Sequence, residues 1–376
     1  MSNTDAILVT GADGYLGSTL ARLLLKQTSD SNLVLWVRSG DKAEFEDKID
    51  KLKSVLNCGG EVEKRVSFAT GDLTKETCFD SVDPGMVGSI VHSAAVTRFN
   101  VDAETAQSVN VVGTRRVLDF ARRCRNLQKL CQVSSVYASG MKAGTVYEDI
   151  VSDGCGFANH YEHSKYAAEK TIIDGGGDLP WTIVRVATIF ADDQSGVVSQ
   201  FNAVHNTLKL LYYGLISVVP GNTDTPLYLI TGGFAARAVA SVLVQGNDQS
   251  IYHASYRREE CTTLGKFVDV AFESFGSDPG FKKRRILKPL FTDLDAFNVL
   301  SEAVSTGFSD GITKQAISSV SPFARQLFID KDVKNDKLRQ LMAGEYVVPN
   351  AEDLVRRTCN HLCQTKWGRT EVGVAP

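Results

Sequence analysis

Long hydrophobic runs, charge of one sign, paired cysteines and sequence repeats are all missing from this chain, and each absence removes a class of function. The most apolar stretch, Leu208 to Pro220 (LKLLYYGLISVVP), contains a lysine and falls well short of the roughly 20 residues that a membrane-spanning helix requires. It reads as a buried helix or a pocket wall, and no membrane span is expected. Lys and Arg (41) nearly balance Asp and Glu (44), leaving a net charge of -3 and a pI near 6.1. Such a balance offers no bulk attraction to nucleic acid or to an anionic membrane, so no nucleic-acid partner is expected and small-molecule chemistry is. The eight cysteines, at 58, 78, 124, 131, 155, 261, 359 and 363, lack the paired short spacing of a zinc ribbon. No secretory leader is read at the N-terminus, so reduced thiols and a cytoplasmic location are expected. Cys359 and Cys363 flank His361, but without a second ligand cluster they read as idle thiols, and no metal is expected. The absence of repeats, low-complexity tracts and Pro-rich linkers predicts one compact body.

What is present is the composition of an ordinary globular protein, with 43% hydrophobic and 23% charged residues over 376 positions, enough for one large fold carrying a smaller lobe. Short apolar runs alternate with helical stretches in the N-terminal half, the pattern of βαβ units. Strands are predicted at Ala6 to Thr10, Leu33 to Val37, Val66 to Phe68, Ile90 to His92, Leu130 to Ser134, Trp181 to Val186 and Ser250 to Tyr252. Leu16, Leu20, Leu23 and Leu24 recur at helical spacing between the first two strands. Phe45, Ile49, Leu52 and Leu56 mark a helix in the charged segment 41–64. The fold class is therefore α/β: a Rossmann-type doubly wound parallel sheet with right-handed crossovers and a smaller, mostly helical C-terminal substrate lobe. Residues 1–186 form the nucleotide-binding domain, its sheet completed by about 230–255. Segments 187–229 and 256–376, with the aromatic positions Phe201, Tyr212, Tyr213 and Tyr228, form the lobe. The residues before Ala6 and after Trp367 are expected to fray.

Directly after the first strand stands Thr10-Gly11-Ala12-Asp13-Gly14-Tyr15-Leu16-Gly17. Gly11 can take a tight turn, Gly14 lets backbone approach a pyrophosphate, and Gly17 lets the following helix pack close to the sheet. The helix N-terminus then faces the phosphates. A glycine triplet alone also suits a plain turn; its place between a strand and an amphipathic helix is what points to a dinucleotide. Where NAD sites carry an acidic residue at the end of the second strand, this chain reads Val37-Arg38-Ser39. A guanidinium there suits the 2′-phosphate of NADP, so NADP(H) is the expected cofactor, with Ser39 and Lys42 as helpers. The competing reading of Arg38 is a solvated strand end. Asp72 and Leu73 follow the third strand, at the adenine edge. Ser93, Ala94 and Ala95 follow the fourth, where backbone lies near the cofactor. Val186, at the end of the strand from Trp181, is counted with them.

Tyr161-Glu162-His163-Ser164-Lys165 opens a helix, and a spacing of four puts Tyr161 and Lys165 on one face. A tyrosine hydroxyl titrates near 10 in isolation; an ammonium beside it favours the phenolate and brings proton transfer toward neutral pH. Lys165 is also placed to hydrogen-bond the nicotinamide ribose. Ser135, at the end of the fifth strand, is the candidate donor to a carbonyl oxygen as charge builds on it. Asn110 reads either as the anchor of a proton-relay water or as a buried helix-kink asparagine. His160 and His163 flank the tyrosine and read as surface or supporting residues rather than general acids.

As a set, TGADGYLG, VSSVY and YEHSK resemble the extended short-chain dehydrogenase/reductase family over roughly residues 6 to 345. VHSAAVTRFN, NVVGT, NHYEHSKYAAEK, PWTIVRVATIFADDQSG, KPLFTDLDAF, Arg38 and the insertion at 41–64 are most similar to the branch of fatty acyl-CoA reductases and thioester-reductase domains. The resemblance implies Ser135, Tyr161 and Lys165 for catalysis and Gly11, Gly14, Gly17 and Arg38 for cofactor. It also implies NADPH-dependent hydride delivery to an acyl thioester or derived aldehyde, with the acyl chain lodged around Phe201 to Leu229. The thioester would be a CoA ester or be brought by a carrier protein, for which Lys282-Lys283-Arg284-Arg285 is the candidate docking run, and the chain would act as a monomer or homodimer. Ser135 stands where the branch commonly has threonine, Arg185-Val186 where it has Arg-Pro, and Gly232-Gly233 where an acidic residue is common. Alternative readings are a ketone or hydroxysteroid-like reductase, a nucleotide-sugar epimerase or dehydratase, and a non-catalytic NADP-binding regulatory protein.

Overall fold

The computed structural model describes residues 6–27, 31–57, 59–307 and 320–369; Cys58 and most of the two expected fraying tails lie outside them. Seven parallel strands form the central sheet: β1 (Ala6–Thr10), β2 (Leu33–Arg38), β3 (Val66–Gly71), β4 (Val87–His92), β5 (Lys129–Ser135), β6 (Trp181–Val186) and β7 (Ser250–Ala254). Their order, β7-β6-β5-β4-β1-β2-β3, reverses direction at β1, so a crevice opens between the carboxyl ends of β1 and β4. Strands β1, β4, β5 and β6 are buried along their whole length, which is why they read as continuous apolar runs rather than alternating ones.

Helix α1 (Tyr15–Gln27) buries Gly17, Leu20, Ala21, Leu24 and Leu25, the face its leucine spacing predicts. The segment 41–64 holds two helices instead of one: α2 (Lys42–Leu56), capped by the Asp41 side chain, ends where Asn57 turns left-handed, and Glu61–Lys64 follows. Helix α3 (Gly113–Arg123) continues from a π-helical stretch at Gln107–Val112. Helix α4 (His160–Gly175) starts at Asn159, whose side chain accepts from the Glu162 amide, and its buried face includes Tyr161 and Lys165. Helix α5 (Gly232–Gln245) packs beside α1 on the same side of the sheet.

A second apolar core lies beyond the sheet. It joins Phe190, Leu208 and Leu211 to Phe267, Phe275 and Leu362, drawing on chain segments far apart in sequence. Cys359 is fully buried in this core and Cys363 packs against it; burial pushes both thiols up, Cys363 to about 12.

Candidate active site

Gly11 has φ +66, and a Cβ there would lie 2.7 Å from the Ala94 Cα. The loop after β1 and the chain after β4 therefore touch backbone to backbone. At Gly17 a Cβ would lie 2.2 Å from the Gly11 carbonyl oxygen, so α1 begins hard against the loop. A Cβ at Gly14 would meet nothing within 4 Å except that same oxygen, at 3.2 Å; the space beyond is the cradle a side chain would fill. Ser93 Oγ donates to the Thr10 carbonyl (2.7 Å), and Thr10 Oγ1 bonds His92 Nδ1 (2.7 Å) and accepts from the Ala94 amide (3.3 Å). Thr10, Gly11, Ser93 and Ala94 are thus brought together, in a shape that fits a dinucleotide at a helix N-terminus. Leu16 packs against the core under α1, and Ala95 is half-buried.

The Tyr15 hydroxyl is pushed far up by burial and by Asp192. Its ring also explains a residue that stood out in the sequence: a Cβ at Gly232 would lie 2.0 Å from the Tyr15 hydroxyl oxygen. An acidic side chain at 232 has no room, and Asp192 supplies the carboxylate to Tyr15 instead.

Arg38 leaves the end of β2 with its side chain 72% exposed, 3.7 Å from Asp72. Partial burial pushes the Asp72 carboxyl up, but hydrogen bonds from the Thr74 amide and hydroxyl, with Arg38, hold it below its usual range. Leu73 is buried against Gly113, where a Cβ would come within 3.0 Å of its own. Ser39 Oγ is bonded to Thr70 Oγ1 at 2.7 Å. Lys42 is not brought to this corner; it is exposed and pairs with Glu46 at 3.6 Å. Lys48, missed in the sequence, takes that place. Its ammonium reaches Asp13 of the glycine loop (3.2 Å) and Glu44 (3.0 Å) and donates to the Arg38 carbonyl. The four-residue spacing of Glu44 and Lys48 is the signal that could have found it.

Across the crevice the Tyr161 hydroxyl is hydrogen-bonded to the Ser135 side chain, and burial pushes the phenol up to about 12. Lys165 Nζ donates to the Val133 carbonyl at 2.9 Å, and burial lowers the ammonium to about 8. The downward pull on Tyr161 therefore comes from Ser135; the lysine expected to supply it is turned to the backbone of β5. Burial and the nearby Lys165 charge lower His92 to about 3, so its imidazole is neutral. Asn110 lies in the π-helical stretch. Its Nδ2 donates to the Val96 carbonyl (3.0 Å) and Ser164 Oγ (2.8 Å), and its Oδ1 accepts from the Val96 amide (2.8 Å). Both amide protons are used in stapling the chain after β4 to α4. His160 and His163 are exposed, His163 against the Phe157 ring. Arg185 is fully buried and holds Glu169 through contacts of 2.7 to 3.1 Å; Glu169 in turn accepts from Ser134 at 2.5 Å. That pair clamps α4 to β5 and β6, and Val186 lies buried beside Ser135 in the strand pairing.

Next to Tyr161 opens an apolar cavity with Phe99, Tyr137, Leu211, Val219 and Phe267 in its wall. Phe99 meets the rings of both Tyr161 and Tyr137 edge-on, with centroids 5.5 Å apart. Residues 203–229 contribute much of the wall, but Phe201, Tyr212 and Tyr213 do not. The Tyr212 and Tyr213 rings lie under the Arg284 guanidinium at 4.4 and 4.9 Å, so one member of the exposed basic run 282–285 is tied to these rings.

A family model described as Male sterility protein, an NAD-binding family, matches residues 9–239. "Probable fatty acyl-CoA reductase 4" of Arabidopsis thaliana is 31% identical over 350 residues, covering 73% of this chain and 71% of that protein. "Alcohol-forming fatty acyl-CoA reductase" of Simmondsia chinensis is 29% identical, covering 74% and 72%. "Fatty acyl-CoA reductase wat" of Drosophila melanogaster is 22% identical and covers 76% of this chain, which spans only 63% of that relative's length. Among solved structures, the terminal R domain from the myxalamid PKS-NRPS biosynthetic pathway superposes over 98% of this chain and 92% of its own, with a TM-score of 0.77 at 19% identity. The chain therefore belongs to the Male sterility protein family of NAD-binding oxidoreductases, the family of the fatty acyl-CoA reductases, on an extended short-chain dehydrogenase/reductase fold.

Proposed function

We propose that the chain is an NADPH-dependent reductase of acyl thioesters, yielding the aldehyde and, where it acts again, the alcohol. The observation that carries this reading is the adjacency of three features: the glycine cradle, the Tyr161–Ser135 hydrogen bond, and an apolar cavity whose wall residue Phe99 touches Tyr161. An acyl chain would lie in the cavity, and its carbonyl would then reach the mutually bonded Tyr161 and Ser135 hydroxyls beside Phe99.

Thr10, Gly11, Gly14, Gly17, Ser93 and Ala94 would hold the dinucleotide, and Tyr15, Leu16, Asp72, Leu73, Ala95 and Val186 would border it. Arg38, with Ser39 and Lys48 beside it, would meet a 2′-phosphate. When bound, the nicotinamide supplies a hydride to the carbonyl carbon. Tyr161 gives its proton to the carbonyl oxygen, and Ser135 donates a hydrogen bond as charge develops there. The resulting hemithioacetal collapses to aldehyde and thiol. The phenolate left behind, on a phenol that burial raises to about 12, would need Lys165 to turn to it from the Val133 carbonyl, its partner in this structure. The segments 187–229 and 256–376 hold the substrate, and the exposed Lys282, Lys283 and Arg285 are the surface for a CoA ester or an acidic carrier protein.

The test is NADPH oxidation with product identification across acyl-CoAs, carrier-bound acyl groups, aldehydes and ketones. Aldehyde or alcohol from a thioester supports the reading. Turnover of ketones alone would replace it with a ketone reductase.

A further inference from the structure

The largely apolar cavity wall carries one charged side chain, which the reaction does not use. Lys331 is only 7% exposed, yet it lines the cavity. Its ammonium donates to Ser139 Oγ (3.2 Å) and to the Gly140 carbonyl, and lies 6.0 Å from the Tyr137 ring centre. An ammonium has three donors, so one N–H is left over. The other polar side chains of the wall each have a protein partner. Tyr228 Oη donates to the Lys331 carbonyl (2.8 Å) and accepts from the Val333 amide (3.0 Å); Thr225 and Thr207 donate to the Leu327 and Ala203 carbonyls. Gln326 Nε2 donates to the Gly140 carbonyl (3.1 Å) and to Glu162 Oε2 (2.8 Å), and Tyr137 and Thr188 bond each other at 3.1 Å. A bare donor facing an apolar chain is costly, since a buried polar group without a partner loses its solvation for nothing. Burial accordingly lowers the ammonium to about 8.

The position of Lys331 is equally informative. Its two protein partners, Ser139 and Gly140, follow Ser135 by four and five residues, and Tyr137 links it through Phe99 to Tyr161. Lys331 therefore sits on the reacting side of the cavity. The nearby Glu162 carboxylate, which raises the ammonium, already supplies a counter-charge and is itself bonded by the Ala158 amide, Asn159 and Gln326. A second carboxylate is not called for; a neutral acceptor is.

We infer that Lys331 forms a polar subsite in the acyl cavity, selecting thioesters whose chain carries a neutral oxygen, hydroxyl or keto, near the thioester end. This rests on the thioester-reductase reading of the same cavity. The experiment uses the full chain with β-hydroxyacyl-CoA, δ-hydroxyacyl-CoA and the unsubstituted acyl-CoA of equal length, measuring affinity by titration calorimetry and turnover by NADPH oxidation. Wild type should bind one hydroxylated thioester about tenfold tighter than the plain one, the scale of satisfying a buried donor. Lys331→Met should erase that preference, and Lys331→Gln, which keeps an N–H, should restore part of it. Equal wild-type affinities for all three, or a Lys331→Met protein that weakens all three by the same factor, would overturn the subsite. Should Lys331→Met fail to fold, the wild-type comparison and Lys331→Gln decide the matter. A binding preference without turnover of any thioester supports the subsite and overturns the reductase reading; turnover with equal affinities does the reverse.

Discussion

Two buried lysines, one on the helix of Tyr161 and one in the cavity wall, share a chemistry. Lys165 and Lys331 are 4% and 7% exposed, each donates to a backbone carbonyl, and burial lowers each to about 8. Their settings differ. Lys165 belongs to the sheet half, on the helix that carries Tyr161, clamped to the strands by Arg185 and Glu169. Lys331 belongs to the lobe half and completes a wall whose other polar side chains each have a protein partner. The contrast teaches how the proposed chemistry would divide: the sheet and α4 would handle proton and charge, and the lobe would choose what is presented to them.

The largest expected effect comes from breaking the sheet half at its proposed proton donor. Tyr161→Phe should lower kcat/KM by about 10³-fold or more while leaving NADPH affinity, measured by cofactor fluorescence, nearly unchanged. Next is the clamp. Arg185→Met strands the buried Glu169 carboxylate and should cost about 3–5 kcal/mol of stability, read as a lowered midpoint in urea denaturation; an unchanged midpoint would show that α4 is held some other way. At the outer edge of the same half, Arg38→Ala should reduce the preference for NADPH over NADH by about 10- to 100-fold, a loss of 1.4–2.8 kcal/mol of charge-assisted bonding, and Lys48→Ala should do so more weakly. Lys42→Ala, whose side chain points elsewhere, should not.

A pH profile sharpens the comparison between the lysines. Burial lowers the Lys165 ammonium to about 8, and in the proposed reaction only its charged form would stabilise the phenolate. Reduction of a plain acyl thioester should therefore decline as pH rises past about 8 and be flat below it; a rate that climbs through that range contradicts the assignment. The smallest effect belongs to the lobe surface. Reversing Lys282, Lys283 and Arg285 together should raise KM several-fold for carrier-bound substrate and little for free aldehyde, and identical kinetics with the carrier would remove docking there.

The fold was legible because its signals are local. Continuous apolar strands, the leucine spacing of α1 and the glycine loop lie within short stretches, and the strand ends read within a few residues: Val66 to Phe68 runs on to Gly71, and Ser250 to Tyr252 to Ala254. The helix read across 41–64 breaks because Asn57 adopts a left-handed turn, a stop that Asn57 and the following Gly59-Gly60 signal in the sequence but that the charge and apolar spacing of 41–64 obscured. Within the candidate site, Tyr161 and Lys165 share one face of a helix because four residues separate them. Their mutual electrostatics were not legible, since Lys165 turns to Val133 on a different element. Lys331 was invisible for the same reason: its partner Ser139 is 192 residues away. Gly232 likewise makes sense only against Tyr15, on the far side of the chain.

The most direct measurement follows deuterium from NADPH labelled on the nicotinamide C4 into the product of an acyl thioester, by mass spectrometry. One deuterium at C1 of the aldehyde, with release of free thiol and loss of both in Tyr161→Phe, is the predicted result. NADPH that binds but is never consumed by any thioester, aldehyde or ketone would contradict the account and leave a cofactor-binding protein without turnover.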